Sequence, residues 1–440
     1  MATNSPELNK ISSSSKLNFD LEDDIEENEK KVTNFELIRF FIFIFFIIVI
    51  LFVVIIALLY NLIIKPEKLK SRRYTNPELY SSLRERYKIT EYVEQCINGI
   101  ILDNKKYPKA ENPNISIIIP VYNKDKFILR VLRSIQNQSL KNIEIIFIDD
   151  FSYDNSSKLI EEYKKEDERI VLLKHEKNKG TLISRIDGAK NAKGEYILFI
   201  DPDDLLVQKE FLEDLYAKGK TNNIDVIQFQ LCEGDFYKSF YCKNTNRTIN
   251  PIYQPELSNL MYYENGYLHQ SEFFICGKLI KREIFLEVIN SIDKYYLNQH
   301  MILHEDGLTL FILLKKAKSY MLVKDYGMLY FSNKYSTLSN TRNKDRINKT
   351  IRDCFLYLEF MFNYTNNTLY EKNMAVEQFK FLIRQFNDVF QKATNGFKYI
   401  YKVIDLYLNC DIIVDEDKKI IKEIKKQFIF NKNNLTKKGK

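Results

Sequence analysis

Between Asn114 and Leu206 the chain alternates short, mainly apolar runs with segments whose apolar residues recur at helical spacing. Ile115 to Pro120 (ISIIIP), Ile143 to Ile148 (IEIIFI), Ile170 to Leu173 and Tyr196 to Ile200 read as strands. Between them, Ile128, Val131, Leu132 and Ile135, then Leu159, Ile160 and Tyr163, then Ile183, Ile186 and Ala189 fall on helix faces. A strand with no polar face must be covered on both sides, and a helix in each connection lets consecutive strands run parallel. The expectation is an α/β fold with a mainly parallel central sheet. Ligands of such sheets bind beyond the carboxyl ends of the strands, so the residues just after each strand matter most.

Those residues are acidic. Pro120, Val121, Tyr122 and Asn123 follow the first strand, Asp149 and Asp150 the second, and Asp201-Pro-Asp-Asp204 the fourth. One aspartate at a strand end is an ordinary turn or cap residue. Two acidic clusters on one edge point to chemistry with a cation and a phosphate. A diphosphate leaving group concentrates negative charge, and a hard divalent ion, Mn²⁺ or Mg²⁺, neutralises it while taking carboxylate and water ligands. Asp201 and Asp203, one residue apart, can offer one carboxylate to the ion and one to the sugar or ribose. No GxxxxGK[ST] loop occurs, which argues against a P-loop enzyme, and no GxGxxG follows a strand.

The segments SIIIPVYN (116–123), IDDFSYD (148–154), Asn178-Lys-Gly180, Arg185 with Gly188, and AKGEYILFIDPDD (192–204) occur in this order. Over residues 116–204 the chain resembles a family 2 glycosyltransferase with the GT-A, or nucleotide-diphospho-sugar transferase, fold. One departure is Phe151, where the family usually has glycine. The resemblance implies that Pro120, Tyr122, Asp149 and Asp150 contact the nucleotide base and ribose. It implies that Asp201 and Asp203 form a DxD site for the metal and the sugar phosphate, and that Arg185 positions the donor phosphates or those acids.

Similar transferases carry a Glu-Asp pair at a helix start about a hundred residues after the DxD, and here His304-Glu305-Asp306-Gly307 precedes the apolar run Leu308 to Leu314. Acids at a helix start also simply favour its positive end. An acceptor hydroxyl must lose a proton as it attacks, and a placed carboxylate can take it. Asp306 is the base candidate and Glu305 its partner. The expected reaction is an inverting transfer from a nucleotide-sugar donor, a UDP-sugar first, to a hydroxyl of a glycan, lipid or protein. Processive synthases of the family carry QxxRW and several spans, and this chain has no Trp, so addition of one or a few sugars is expected. A polyprenyl-phosphate sugar synthase is the alternative within the class. A non-catalytic, membrane-tethered sugar-nucleotide or glycan-binding protein is the alternative outside it.

The remaining chain divides by composition. Residues 1–39 are polar, with a Ser run and an acidic stretch, and read as a disordered tail. Residues 40–64 (FFIFIFFIIVILFVVIIALLYNLII) hold no charge over 25 residues, enough for a transmembrane helix. A single-pass membrane protein of the secretory pathway, Golgi or ER, is expected, with the lipid bilayer as a partner. Lys65, Lys68, Lys70, Arg72 and Arg73 follow the span, which favours a cytoplasmic catalytic domain. Single-anchor secretory sugar transferases mostly face the other way, so the orientation stays open. Residues 65–113 read as a stem, 114–345 as the catalytic domain and 346–440 as a helical extension. Net charge is +7 with basic and acidic residues interleaved, which argues against nucleic acid. The six cysteines form no CxxC pair, so structural zinc is not expected; their even count permits disulfides if the domain is lumenal, the spacing does not demand them, and buried free thiols are the plainer reading.

Overall fold

The computed structural model describes residues 92–98, 107–235, 239–242, 249–254, 274–331, 344–365, 369–385, 397–411 and 413–438. The tail (1–39), the apolar run Phe40 to Ile64 and most of the stem lie outside the described residues. Among those described, no helix is long and apolar enough to cross a membrane.

The first half builds as its pattern dictates. Strands β1 (Ile115–Val121), β2 (Ile143–Asp149), β3 (Ile170–Lys174) and β4 (Tyr196–Phe199) alternate with helices α1 (Asp125–Gln136), α2 (Ser156–Lys164) and α3 (Thr181–Asn191). They lie side by side in the order β3-β2-β1-β4, all parallel. Every residue of β1, β2 and β4 is buried, as strands covered on both faces require. Helix α1 buries Ile128, Val131, Leu132 and Ile135, the stripe its spacing marked. Helix α3 lies so close to the sheet that a Cβ on Gly188 would come within 2.6 Å of Ile118 Cγ2 and 2.8 Å of Ile148 Cδ1.

Register brings the acids together. Val121 pairs with Asp149, and Phe199 pairs with Ile118, so the continuations of β1, β2 and β4 emerge at one level of the sheet edge.

The second half corrects the expectation of a mainly parallel sheet. After β5 (Leu205–Leu206) and α4 (Phe211–Asn222) come β6 (Val226–Asp235), β7 (Ser239–Cys242), β8 (Ile249–Tyr253), β9 (Lys278–Lys281) and β10 (Ser319–Phe331). Strand β9 lies antiparallel between β4 and β6. Strands β6 and β10 run parallel to each other, whereas β5, β7 and β8 pair antiparallel. The sheet is therefore mixed. The reversal of β9 has a physical consequence: its amino-terminal side faces the carboxyl end of β4, so Ile275 and Cys276 reach the acidic edge. Tertiary pairing decides strand direction, and apolar periodicity carries no record of it.

Helices α5 (Arg282–Ser291), α6 (Lys294–Leu297) and α7 (Glu305–Lys316) follow β9, and α8 (Lys344–Tyr364), α9 (Leu369–Gln385), α10 (Phe397–Leu408) and α11 (Asp415–Lys438) complete the chain. One hydrophobic core runs from Ile117 and Phe199 through Leu308 and Phe311 to Phe355, Phe379 and Tyr407. Gly307 on α7 faces the Tyr357 ring on α8, where a Cβ would meet Cε2 at 2.6 Å. The carboxy-terminal helices thus seat the helix whose first residues are Glu305 and Asp306. Cys96, Cys276, Cys354 and Cys410 are free thiols. Cys232 is disulfide-bonded, the alternative that the even cysteine count permits, in place of the plainer free-thiol reading, and Cys242 is the residue opposite it across β6 and β7.

Candidate functional site

The turn after β2 forms one corner of the site. Asp149 and Asp150 are buried. Asp149 accepts a hydrogen bond from Ser152 N at 3.1 Å. Asp150 accepts from the backbone N–H groups of Lys179 (2.7 Å) and Gly180 (2.8 Å). His175, the first residue after β3, puts Nδ1 2.7 Å from Asp150 and Nε2 3.1 Å from Asp187. The Asn178-Lys-Gly180 loop is therefore wrapped around the Asp150 carboxylate, and Gly180 takes a φ of +88° to close it. Pro120 is buried within β1, while Tyr122 is exposed and meets Tyr153 edge-on, centroids 6.1 Å apart.

The centre of the site is organised by Arg185. Its side chain comes from α3 and is only 5% exposed. One terminal nitrogen donates to Asp306 Oδ1 and lies 3.9 Å from Glu305 Oε1. The other donates to Asp201 at 2.9 Å and lies 3.5 Å from Cys276 Sγ. Burial works against the guanidinium charge, but Asp306 foremost, with Cys276, Asp201 and Glu305, holds it well above its usual range. A buried Arg survives only with such partners.

Asp306 also accepts from Ile275 N at 3.1 Å, the contact that reversed β9 makes possible. Burial raises its pKa, and Arg185 then opposes the rise. Glu305 is pushed up to about 7 by burial and by the Asp306 charge, although 16% of its side chain stays open to solvent. His304 precedes the helix in the left-handed region, φ +60°, with its ring stacked on Tyr357 at 5.3 Å. Burial pushes that imidazole down to about 4, so it is neutral at ordinary pH.

Asp203 pairs with Lys124 Nζ at 2.7 Å. Asp204 is buried; Phe331 N donates to its Oδ1 at 3.2 Å, and its Oδ2 has no hydrogen-bond partner. Burial and the charges of Asp201 and Asp203 raise its pKa well above the carboxylate range. Among the described residues no group of three or more His, Cys, Asp or Glu has the geometry of a protein-only metal site. The donor set does fit a different kind of site. Mg²⁺-like ions are commonly held by one or two carboxylates and completed by substrate phosphates and water. Asp201 and Asp203 supply two hard oxygen donors, and the surplus negative charge felt by Asp204 is what a cation there would relieve.

All nine site residues named from the sequence lie at this edge. Asp201, Glu305 and Asp306 are brought onto one guanidinium. Asp149 and Asp150 stand apart and are satisfied mainly by backbone. Sequence reasoning missed Lys124, His175, Cys276 and the Ile275 N–H. The strand-end rule finds His175 once it is applied to β3 as well. Lys124, one residue beyond Asn123, carried no such signal, and Cys276 depended on the direction of β9.

Residues 116–289 match the model of the family described as Glycosyl transferase family 2. Glycosyltransferase GlyG of Streptococcus pneumoniae serotype 4 is 31% identical over 179 residues, covering 40% of this chain and 58% of that protein. Cholesterol galactosyltransferase of Borreliella burgdorferi is 29% identical over 270 residues, covering 59% and 71%. The chain spans just over half the length of GlyG and 28% of Glycosyltransferase GlyA from the same organism. Among solved structures, residues 1–349 of Staphylococcus aureus TarS in complex with UDP-GlcNAc superpose with a TM-score of 0.56 at 18% identity, covering 72% of this chain and 89% of that one. That likeness shows the fold, a GT-A-like α/β arrangement with a mixed sheet.

Proposed function

We propose, from the match of residues 116–289 to the family 2 glycosyltransferase model, that this chain is an inverting glycosyltransferase that moves a sugar from a UDP-sugar to a hydroxyl of a glycan, lipid or protein acceptor. The observation that carries the reading is the Arg185 guanidinium, which ties Asp201 to Asp306. It links a donor-side acid to an acid that can serve as base. That TarS is described in complex with UDP-GlcNAc supports a UDP-sugar as the first donor to test.

In this reading the acceptor oxygen bonds to the anomeric carbon from the face opposite the nucleotide. The bond from that carbon to the phosphate oxygen breaks, and UDP leaves with the electron pair. Asp306 takes the acceptor proton. It must be ionised to do so, and Arg185 and the Ile275 N–H favour that form against the burial that opposes it. Asp201 and Asp203 would hold Mn²⁺ or Mg²⁺, which supplies charge neutralisation for the departing diphosphate. Arg185 keeps Asp201 and Asp306 in fixed relation, and His304 stays neutral behind them. The absence of Trp, and so of a QxxRW segment, supports transfer of one or a few sugars.

The test is Asp306→Asn. UDP binding should stay within about threefold of wild type while transfer falls by roughly 10²- to 10⁴-fold, the usual worth of a positioned base. Full retained transfer would remove Asp306 as base. Chelation with EDTA should abolish transfer and added Mn²⁺ restore it, and an EDTA-resistant transfer would remove the metal.

A further inference from the structure

Phe151 is out of place by every local criterion. It follows Asp150 in the turn after β2 and adopts φ +67°, a region that a bulky side chain with a Cβ avoids. Its ring is 57% exposed, so core packing does not account for it. The turn that imposes this conformation is tightly held. Asp150 N donates to Val121 O at 2.8 Å, Ser152 N to Asp149 Oδ1 at 3.1 Å, Asn123 N to Ser152 Oγ at 2.9 Å and Tyr153 N to Asn123 Oδ1 at 3.0 Å. Glycine would satisfy the same turn without strain. A strained residue held by its surroundings, with its side chain in solvent, points to a role outside folding.

The position suggests which role. The ends of β1 and β2 carry three exposed aromatic rings: Tyr122 (44%), Phe151 (57%) and Tyr153 (84%). They flank Asp149 and Asp150, the corner at which the proposed donor's nucleoside would sit. Aromatic faces beside a nucleotide site gain affinity by stacking on a base, whatever its hydrogen-bonding edge. We propose that Phe151 is a nucleoside-stacking residue of the donor site, and that its left-handed backbone presents the ring to the base. The inference rests on the nucleotide-sugar reading above and adds Phe151 to the contacts of that corner. Stacking acts on the base, so the diphosphate should not feel it.

The experiment measures binding of UDP, CDP, GDP and inorganic pyrophosphate by calorimetry, together with thermal unfolding. Wild type is compared with Phe151→Gly, Phe151→Asn and Phe151→Trp. Glycine frees the turn, while Asn tolerates the left-handed region and keeps the turn restricted without a ring. Both should weaken UDP binding roughly five- to hundredfold, the range of one aromatic–base stack. Trp should bind UDP within about threefold of wild type. Pyrophosphate binding should be the same in all four proteins. Phe151→Gly should raise the midpoint of unfolding by about 2–4 °C, because it relieves strain. UDP binding equal to wild type in the Gly and Asn variants overturns the proposal. So does a lower unfolding midpoint for Phe151→Gly, which would make the ring a packing element. Wild-type protein that binds pyrophosphate but no nucleoside diphosphate also overturns it and leaves the transferase reading without its donor. Wild-type binding of UDP with unchanged variants overturns the role of Phe151 alone.

Discussion

Asp150 and Asp306 are acids of the same sheet edge, and they are held in different ways. Asp150 accepts two backbone N–H bonds from residues 179 and 180, with the His175 ring beside it. Asp306 accepts one backbone N–H and otherwise shares the Arg185 guanidinium with Asp201 and Glu305. Backbone amides are fixed by the fold, so the Asp150 corner is complete whether or not a ligand is present. A guanidinium divided among several carboxylates makes each acid depend on the others. The first arrangement suits a rigid wall for a nucleoside. The second suits a centre where charge and a proton must move.

Removing the shared cation should break the contrast most visibly. Arg185→Met leaves Asp201, Glu305 and Asp306 crowded without their cation. Deleting one partner of a buried ion pair typically costs about 3–5 kcal/mol, so denaturant unfolding should show a loss of that order. Transfer should fall by roughly 10²-fold or more, since the base loses both its position and its ionised form. Arg185→Lys should recover part of the stability and less of the transfer, because a point charge cannot span Asp201 and Asp306 as a fork does. If Arg185→Met unfolds as wild type does, the cluster is not held by that residue.

The contrast also separates what was legible in the sequence from what was not. The runs around Ile117, Ile145 and Leu198 announced β1, β2 and β4 to within about a residue, because strands buried on both faces are nearly continuous apolar runs, interrupted within β1 and β2 only by the buried, mutually hydrogen-bonded Ser116 and Glu144. The acids at their ends were legible for the same reason: a charge directly after a buried run marks the sheet edge. The partners of those acids were not. Ile275 serves Asp306 only because β9 runs antiparallel to β4, and the apolar residues of KLIK look the same in either direction. Lys124 and Asp203 are 79 positions apart, and the pair is made by tertiary packing that no local pattern records. The left-handed backbone at Phe151 was equally hidden, since a bulky aromatic residue rarely adopts it, whereas His304 is of a type enriched in that region.

On the backbone-held side, Asp150→Asn keeps the shape and removes the charge. Its bonds to the N–H groups of Lys179 and Gly180 lose their ionic character, and hydrogen bonds to charged groups are worth about 1.5–3 kcal/mol. Stability should fall within that range. The KM for the donor should rise with a smaller change in kcat, because the loop at 178–180 shapes the site without touching the reacting atoms. A loss confined to kcat would place Asp150 in the chemistry instead.

The finest distinction lies within the shared cluster and is read from pH. Burial, and then the Asp306 charge, raise Glu305 from its ordinary 4.5 to about 7, with Arg185 opposing. The folded protein thus holds this proton more tightly than the unfolded chain does. The sign follows: stability contributed by the protonated form is fully present below about 4.5, falls as pH rises toward 7, and is gone above it. Glu305→Gln removes the titrating group and keeps the volume. Relative to wild type, the variant should gain about 1–2 kcal/mol of unfolding free energy between pH 5 and pH 8, a partial share of the roughly 1.4 kcal/mol that each unit represents, given the solvent that reaches the side chain. The acid limb of kcat/KM should move to lower pH in the same variant, because the pair's proton no longer has Glu305 to sit on and Asp306 titrates beside Arg185 and Asp201. A wild-type-minus-variant difference that stays flat from pH 5 to pH 8 would mean that Glu305 is already ionised on the folded protein. The carboxylates around Arg185 would then be as fixed in charge as Asp150 is in position.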